Sequence, residues 1–145
     1  MTWDEYYLGM CVTVASKSKD RSTKCGVVVV GPANEVRTIG YNGFARGVDD
    51  DVEERHERPE KYKWVVHAEA NAIANAARCG TPLEGTTIYL TGPPCNECSK
   101  LIINSGMKEV VYPIRSQEDY RERWSAEIIL SRTMLDEAGV EVRTV

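Results

Sequence analysis

The sequence predicts an α/β fold, a mixed five-stranded sheet sandwiched by helices, and three observations carry that prediction. Two β-branched runs flank a tight turn, helical and strand patterns alternate from residue 67 onward, and 145 residues are enough for one hydrophobic core without disulfide staples. Thr2-x-x-Glu5 is a capping box, and Trp3, Tyr7, Met10, Cys11 and Val14 recur at helical spacing, which predicts an opening helix to about Ser16 with its aromatic stripe in the core. The run from Cys25 to Gly31, a Gly-Pro-Ala-Asn turn and the run from Val36 to Tyr41 predict an antiparallel hairpin. Residues 42–63 show no sustained period; the acidic Asp49-Asp50-Asp51, a mixed-charge run to Glu60 and Pro59 predict a functional or mobile insertion. An Ala-rich helix is expected from His67 to Cys79, capped by Gly80, then a strand from Thr86 to Thr91. A helix from Cys95 to Ser105, ended by Gly106, precedes a strand from Glu109 to Tyr112. The chain closes with a helix from Tyr120 to Glu137, with Trp124, Ile128 and Leu135 on one face, and a strand from Val140 to Val145. The order is α-β-β-α-β-α-β-α-β in a single domain over residues 1–145, with no internal repeat.

Composition excludes several classes. Net charge is -4 and the sequence pI is near 5.3, so the overall field disfavours a polyanionic nucleic acid. The short basic run Lys17, Lys19, Arg21 and Lys24 either holds one phosphate or forms a solvated loop. No stretch approaches the ~18 apolar residues of a membrane span, and the first residues lack the basic and apolar regions of a signal peptide, so a cytoplasmic location is expected. Five cysteines, two of them assigned to a metal below, suit a reducing compartment and leave Cys11, Cys25 and Cys79 as expected buried thiols.

The chemistry concentrates in His67-Ala-Glu69 and Pro94-Cys95-x-x-Cys98. Imidazole nitrogen and two thiolates make three zinc ligands, and a structural site would normally be closed by a fourth. The other histidine, His56, lies in a polar, acidic stretch and is expected to be solvated, so the site is open by count. Residues two apart on a helix point roughly 200° from one another, which makes Glu69 a poor co-ligand and a suitable acid/base group beside the metal. C-x-x-C alone also occurs in structural zinc and redox sites, but those readings leave His67 and Glu69 without a role. H-x-E followed by P-C-x-x-C is the signature of zinc nucleobase deaminases, with the glutamate shuttling protons and not binding metal. If both halves open helices, two positive helix ends meet at the metal and favour thiolates there.

Cys25-Gly-Val-Val-Val-Val, Gly40-Tyr-Asn-Gly43, Val66-His-Ala-Glu-Ala-Asn-Ala-Ile73 and Pro94-Cys-Asn-Glu-Cys-Ser-Lys-Leu-Ile-Ile103 together resemble the deoxycytidylate deaminase family over about the whole chain. The resemblance implies a three-layer cytidine-deaminase-like fold and zinc-dependent hydrolysis of dCMP to dUMP and ammonia, supplying thymidylate synthesis. It implies His67, Cys95 and Cys98 as ligands of one catalytic zinc ion, Glu69 as proton shuttle, the Ala68 N–H as donor to the base carbonyl, and Asn42 as contact to sugar and base. Arg21, Ser22 and Arg46 are the expected phosphate contacts. Family members are commonly hexamers, activated by dCTP with magnesium and inhibited by dTTP near the G-Y-N-G segment, so Gly43 is an expected effector contact. Arg78 either reads an effector phosphate or favours its helix terminus. The acidic stretch after Gly47 departs from the family pattern and would hold magnesium or solubilise a subunit edge. The additional zinc sometimes credited to the family is not expected from His56 with Cys25 or Cys79. Two rival functions share the motif: a tRNA or single-strand nucleobase deaminase, which the acidic pI disfavours, and a non-catalytic nucleotide-sensing zinc domain, in which Glu69 has no purpose.

Overall fold

The computed structural model describes the backbone of residues 1–145 and every side chain except those of residues 117–125. Thr2 caps the opening helix α1 (Trp3–Ala15), its hydroxyl accepting from the Glu5 N–H while the Glu5 carboxylate accepts from the Thr2 N–H. The hairpin strands are β1 (Gly26–Val30) and β2 (Val36–Tyr41). A two-residue pair, β3 (Gly43–Phe44) and β4 (Val65–Val66), brackets the insertion. Helix α2 (Ala68–Cys79) ends on Gly80 in the left-handed conformation, φ 69°, as its cap position requires. Then follow β5 (Thr87–Leu90), α3 (Asn96–Asn104), β6 (Glu109–Tyr112), α4 (Ile114–Glu137) and β7 (Glu141–Thr144). Helix α4 begins six residues before the Tyr120 expected from periodicity, directly after Pro113, whose fixed φ suits a helix entry. Of the expected α4 stripe, Leu135 is core and Ile128 is half-buried, while the Trp124 side chain lies outside the described residues.

The sheet order is β2-β1-β5-β6-β7, antiparallel across β2, β1 and β5 and parallel across β5, β6 and β7. Parallel neighbours need crossovers, and α3 and α4 supply them. Strand alternation sends Val27 and Val29 to one face, with Ala72, Ala76, Ile102 and Leu135, and Val28 and Val30 to the other, with Tyr7 and Cys11. That two-sided burial explains why β1 reads as an unbroken apolar run. The α1 stripe is only partly core: Tyr7 and Cys11 are buried, whereas Trp3 remains 55% exposed, stacked on Tyr7. Cys79, expected as a buried thiol, is exposed because it ends α2.

Gly40 lets α2 lie directly on β2. A Cβ there would sit 2.3 Å from the Ala68 carbonyl oxygen and 2.5 Å from the Ala72 nitrogen, both backbone atoms that cannot swing aside. Gly40→Ala is therefore expected to destabilise the protein by about 1–3 kcal/mol, read as a lowered urea midpoint at unchanged m-value.

The insertion is folded, contrary to the aperiodic reading of its sequence. Two 3-10 turns, Glu53–His56 and Glu60–Lys63, pack around an aromatic group: Phe44 stacks on His56 and Trp64, and the Arg55 guanidinium lies 4.0 Å over the Trp64 ring. His56 is thus half-buried and held by its Nε2 to the Asp50 backbone oxygen, not solvated as expected. Among the described residues no helix is long and apolar enough to cross a membrane.

Candidate metal centre and active site

One end of the sheet gathers four segments: the start of β1 at Cys25–Gly26, the end of β2, the Thr91–Pro94 loop after β5, and the start of α2. The pairings Gly26 with Tyr41 and Val27 with Leu90 bring them level. Ligands of open α/β sheets bind at such strand ends.

His67 and Cys95 are the N-cap residues of α2 and α3, both in extended conformation, and Cys98 lies in the first turn of α3. The His67 Nδ1 is 3.4 Å from each of the Cys95 and Cys98 sulfurs, and all three donor atoms lie within 4.8 Å of one another. Tetrahedral ligands at Zn–N of about 2.0–2.1 Å and Zn–S of about 2.3 Å are roughly 3.6 Å apart, so the donor set and its spacing fit zinc. Among the described residues this is the one group of three or more His, Cys, Asp or Glu side chains that converges in this way.

The three donors perturb each other. Cys98 donates its S–H to Cys95, and with His67 alongside this draws the Cys95 thiol far below its ordinary value; the same bond, with burial, pushes Cys98 up. The Cys95 hydrogen bond raises His67. The Cys95 sulfur also accepts from the Cys98 N–H at the α3 N-terminus. A bound cation would displace protons from these donors.

Glu69 stands outside the ligand group, and burial raises its carboxyl above the ordinary range. The separation arises differently from the helical-wheel expectation: His67 precedes the helix, and the turn from extended to helical backbone at the N-cap parts the two side chains. Glu69 and Ala68 line a cavity of ≈ 30 Å³ with Cys25, Thr91, Gly92 and Pro93. That is room for about two waters. Ala68 is the first residue of α2, whose N–H has no partner within the helix and faces this end of the sheet. Burial pushes the Cys25 thiol up to about 11, so it lines the cavity as a neutral group.

The other expected residues divide. Asn42 is buried, and its amide is committed to the chain: the oxygen accepts from the Cys25 N–H at 2.8 Å and the nitrogen donates to the Thr23 carbonyl at 2.9 Å. A contact to sugar and base has only its second N–H and second lone pair left. Arg21 and Gly43 line a second hollow of ≈ 110 Å³ with Lys17, Lys19, Lys61 and Asp50. Ser22 joins it through the Lys61 ammonium, 3.3 Å from its hydroxyl. Arg46 instead donates to Asn75 on α2, and Arg78 is exposed in the last turn of that helix; neither lines this hollow. The basic run is not a bare loop: Lys19 pairs with Asp50 and Arg21 with Glu53. The acidic run therefore neutralises the cations beside it. Sequence reading missed Lys61, which carries no local signal because its partner Asp20 is distant in the chain.

Residues 1–114 match the family model for the cytidine and deoxycytidylate deaminase zinc-binding region. The deoxycytidylate deaminase of Homo sapiens is 36% identical over 148 residues, covering 99% of this chain and 79% of that protein. The deoxycytidylate deaminase of Mycobacterium phage D29 is 37% identical over 131 residues, 79% of this chain and 96% of that one. The crystal structure of dCMP deaminase from the cyanophage S-TIM5 in complex with dCMP and dUMP superposes with a TM-score of 0.75 at 26% identity, covering 97% of this chain and 95% of that one.

Proposed function

Because this chain belongs to the cytidine and deoxycytidylate deaminase family and is a hydrolytic deaminase, we propose that its substrate is dCMP, converted to dUMP and ammonia by one catalytic domain spanning residues 1–145. The observation that carries the chemistry is the convergence of His67, Cys95 and Cys98 next to a half-buried carboxylate that is not one of them. The similar cyanophage enzyme, which binds dCMP and dUMP, supports the choice of nucleotide over nucleoside.

His67 Nδ1 and the two sulfurs would hold a zinc ion, which when bound would supply Lewis-acid activation of water at neutral pH. Glu69 takes one proton from the attacking water as its oxygen bonds to C4 and delivers it to N3; it then takes the second from the new C4 hydroxyl, which becomes the carbonyl, and gives it to the amine as the C4–N bond breaks and ammonia leaves. A carboxyl raised by burial suits that double duty, since it gives back a proton as readily as it takes one. The Ala68 N–H orients the base through its carbonyl, and Asn42 holds the wall beside the sugar. Arg21 and Ser22, with Lys17 and Lys19 of the larger hollow, receive phosphate, which exchanges for the Asp50 and Glu53 carboxylates. Surface ion pairs of this kind are weak enough to yield to a doubly charged group. Gly43, on the same hollow, would meet dCTP with magnesium as activator or dTTP as inhibitor in a cytoplasmic hexamer.

Ammonia release from dCMP, deoxycytidine and an RNA stem-loop tests the reading. The expected preference in kcat/KM for dCMP over deoxycytidine is about 100-fold, because the cations are left without their phosphate in the nucleoside complex. Deamination of the polynucleotide alone would overturn it. Adding dCTP or dTTP should shift the dCMP saturation curve, and unchanged hyperbolic curves would refute regulation.

A further inference from the structure

We infer that Lys61 is a positioning residue for the catalytic cavity: buried against Asp20, it fixes the loop that ends in Cys25, the cavity wall beside Glu69. This rests on the reading of that cavity as the deaminase site.

Lys61 is 7% exposed, and lysine is almost never buried without a partner. Its ammonium lies 3.1 and 3.3 Å from the two Asp20 oxygens and 3.3 Å from the Ser22 hydroxyl. Asp20 in turn accepts from the Ser22 N–H at 2.8 Å and the Thr23 N–H at 2.9 Å. Burial alone would raise the Asp20 carboxyl; the bonds from Thr23, Ser22 and Lys61 outweigh it and hold the group below its ordinary value. Asn42 ties the same loop from the other side, through Thr23 and Cys25, while the Ser18 hydroxyl donates to the Asn42 carbonyl and accepts from the Asp20 N–H. Residues 18–25 thus hang between two polar centres, Asn42 beside the sheet and Lys61 from the insertion. The two other ion pairs from the insertion to this loop, Lys19 with Asp50 and Arg21 with Glu53, are exposed and hold it weakly. The Lys61–Asp20 pair, with side chains 9% and 8% exposed, is shielded from water and grips firmly. Removing the ammonium leaves a buried carboxylate whose relief is to draw in water and move the loop, and Cys25 moves with it.

K61M tests the inference, with the double variant D20N/K61M, in which no lone charge remains and the asparagine oxygen still accepts from Ser22 and Thr23. The expected result is a rise of about tenfold in KM for dCMP with kcat per bound zinc within about threefold of wild type, largely recovered in the double variant. A merely structural role would lower the folded fraction and leave KM alone. Amide hydrogen exchange gives a readout without substrate: the Cys25 N–H, bonded to Asn42 and not to Asp20, should exchange faster in K61M. A folded K61M with unchanged KM and wild-type protection at Cys25 overturns the inference. Should K61M fail to fold, D20N is read by the same two measurements with the same overturning result. Wild-type protein inactive on dCMP would instead sink the substrate assignment, leaving the exchange result to decide the role of Lys61.

Discussion

Glu69→Gln will reduce kcat for dCMP by at least about 10³–10⁴-fold while zinc content stays that of the wild type. Glutamine keeps the size of the side chain, but it can neither accept the proton of the attacking water nor return one to the ring nitrogen and the leaving amine. Because the carboxyl is not among the three convergent donors, its replacement should not empty the metal site. Ammonia release and metal analysis on the same sample check both halves of the prediction, and substantial turnover by the zinc-loaded variant would sink the shuttle. The pH profile carries the same argument. Burial raises the Glu69 carboxyl, and the base must be ionised to act, so the rate falls on the acidic side as pH drops through that raised value. That limb should be absent from whatever residual activity E69Q retains.

Chelation of zinc will lower turnover by at least about 10⁴-fold, since without the ion water at the site no longer ionises near neutral pH, and stoichiometric zinc will restore it. Cys98→Ala should behave like the chelated protein and fail to recover, because a two-donor site holds the metal too weakly. Protons compete with the metal at all three ligands. The raised Cys98 thiol and raised His67 both deprotonate only as pH rises, so zinc affinity should fall as pH is lowered. Titration with a competing chelator at two pH values measures that slope, and a pH-independent affinity would show that the ligands are not those three. Loss of zinc should also lower the unfolding temperature, because an ion bound by the native state alone stabilises it by mass action.

Much of the site was legible because its signals are local. His67 and Cys95 announce themselves within short motifs, and each motif begins a helix, so the residues that bind metal are also the residues that turn the chain. Element order followed from period and caps for the same reason: Thr2 with Glu5, and Gly80 after Cys79, act across a single turn. The insertion was illegible because its order comes from contacts far apart in sequence. Phe44 meets His56 and Trp64, and Lys61 meets Asp20 across forty-one positions, with no repeating pattern between them. Arg46 and Arg21 looked equivalent as phosphate ligands by type and neighbourhood, yet only Arg21 faces the basic hollow.

Sequence by itself determined the reaction class, through residue types whose chemistry has few alternatives, and the α/β order, through patterns read within a turn or a strand. Tertiary structure alone decided that Asn42 spends its amide on the loop before β1, that the acidic run lies against the basic one, and that Gly40 is the place where α2 touches the sheet. Local signals depend on neighbours in the chain, whereas the partner of a buried amide or charge depends on which loops return to the same end of the sheet.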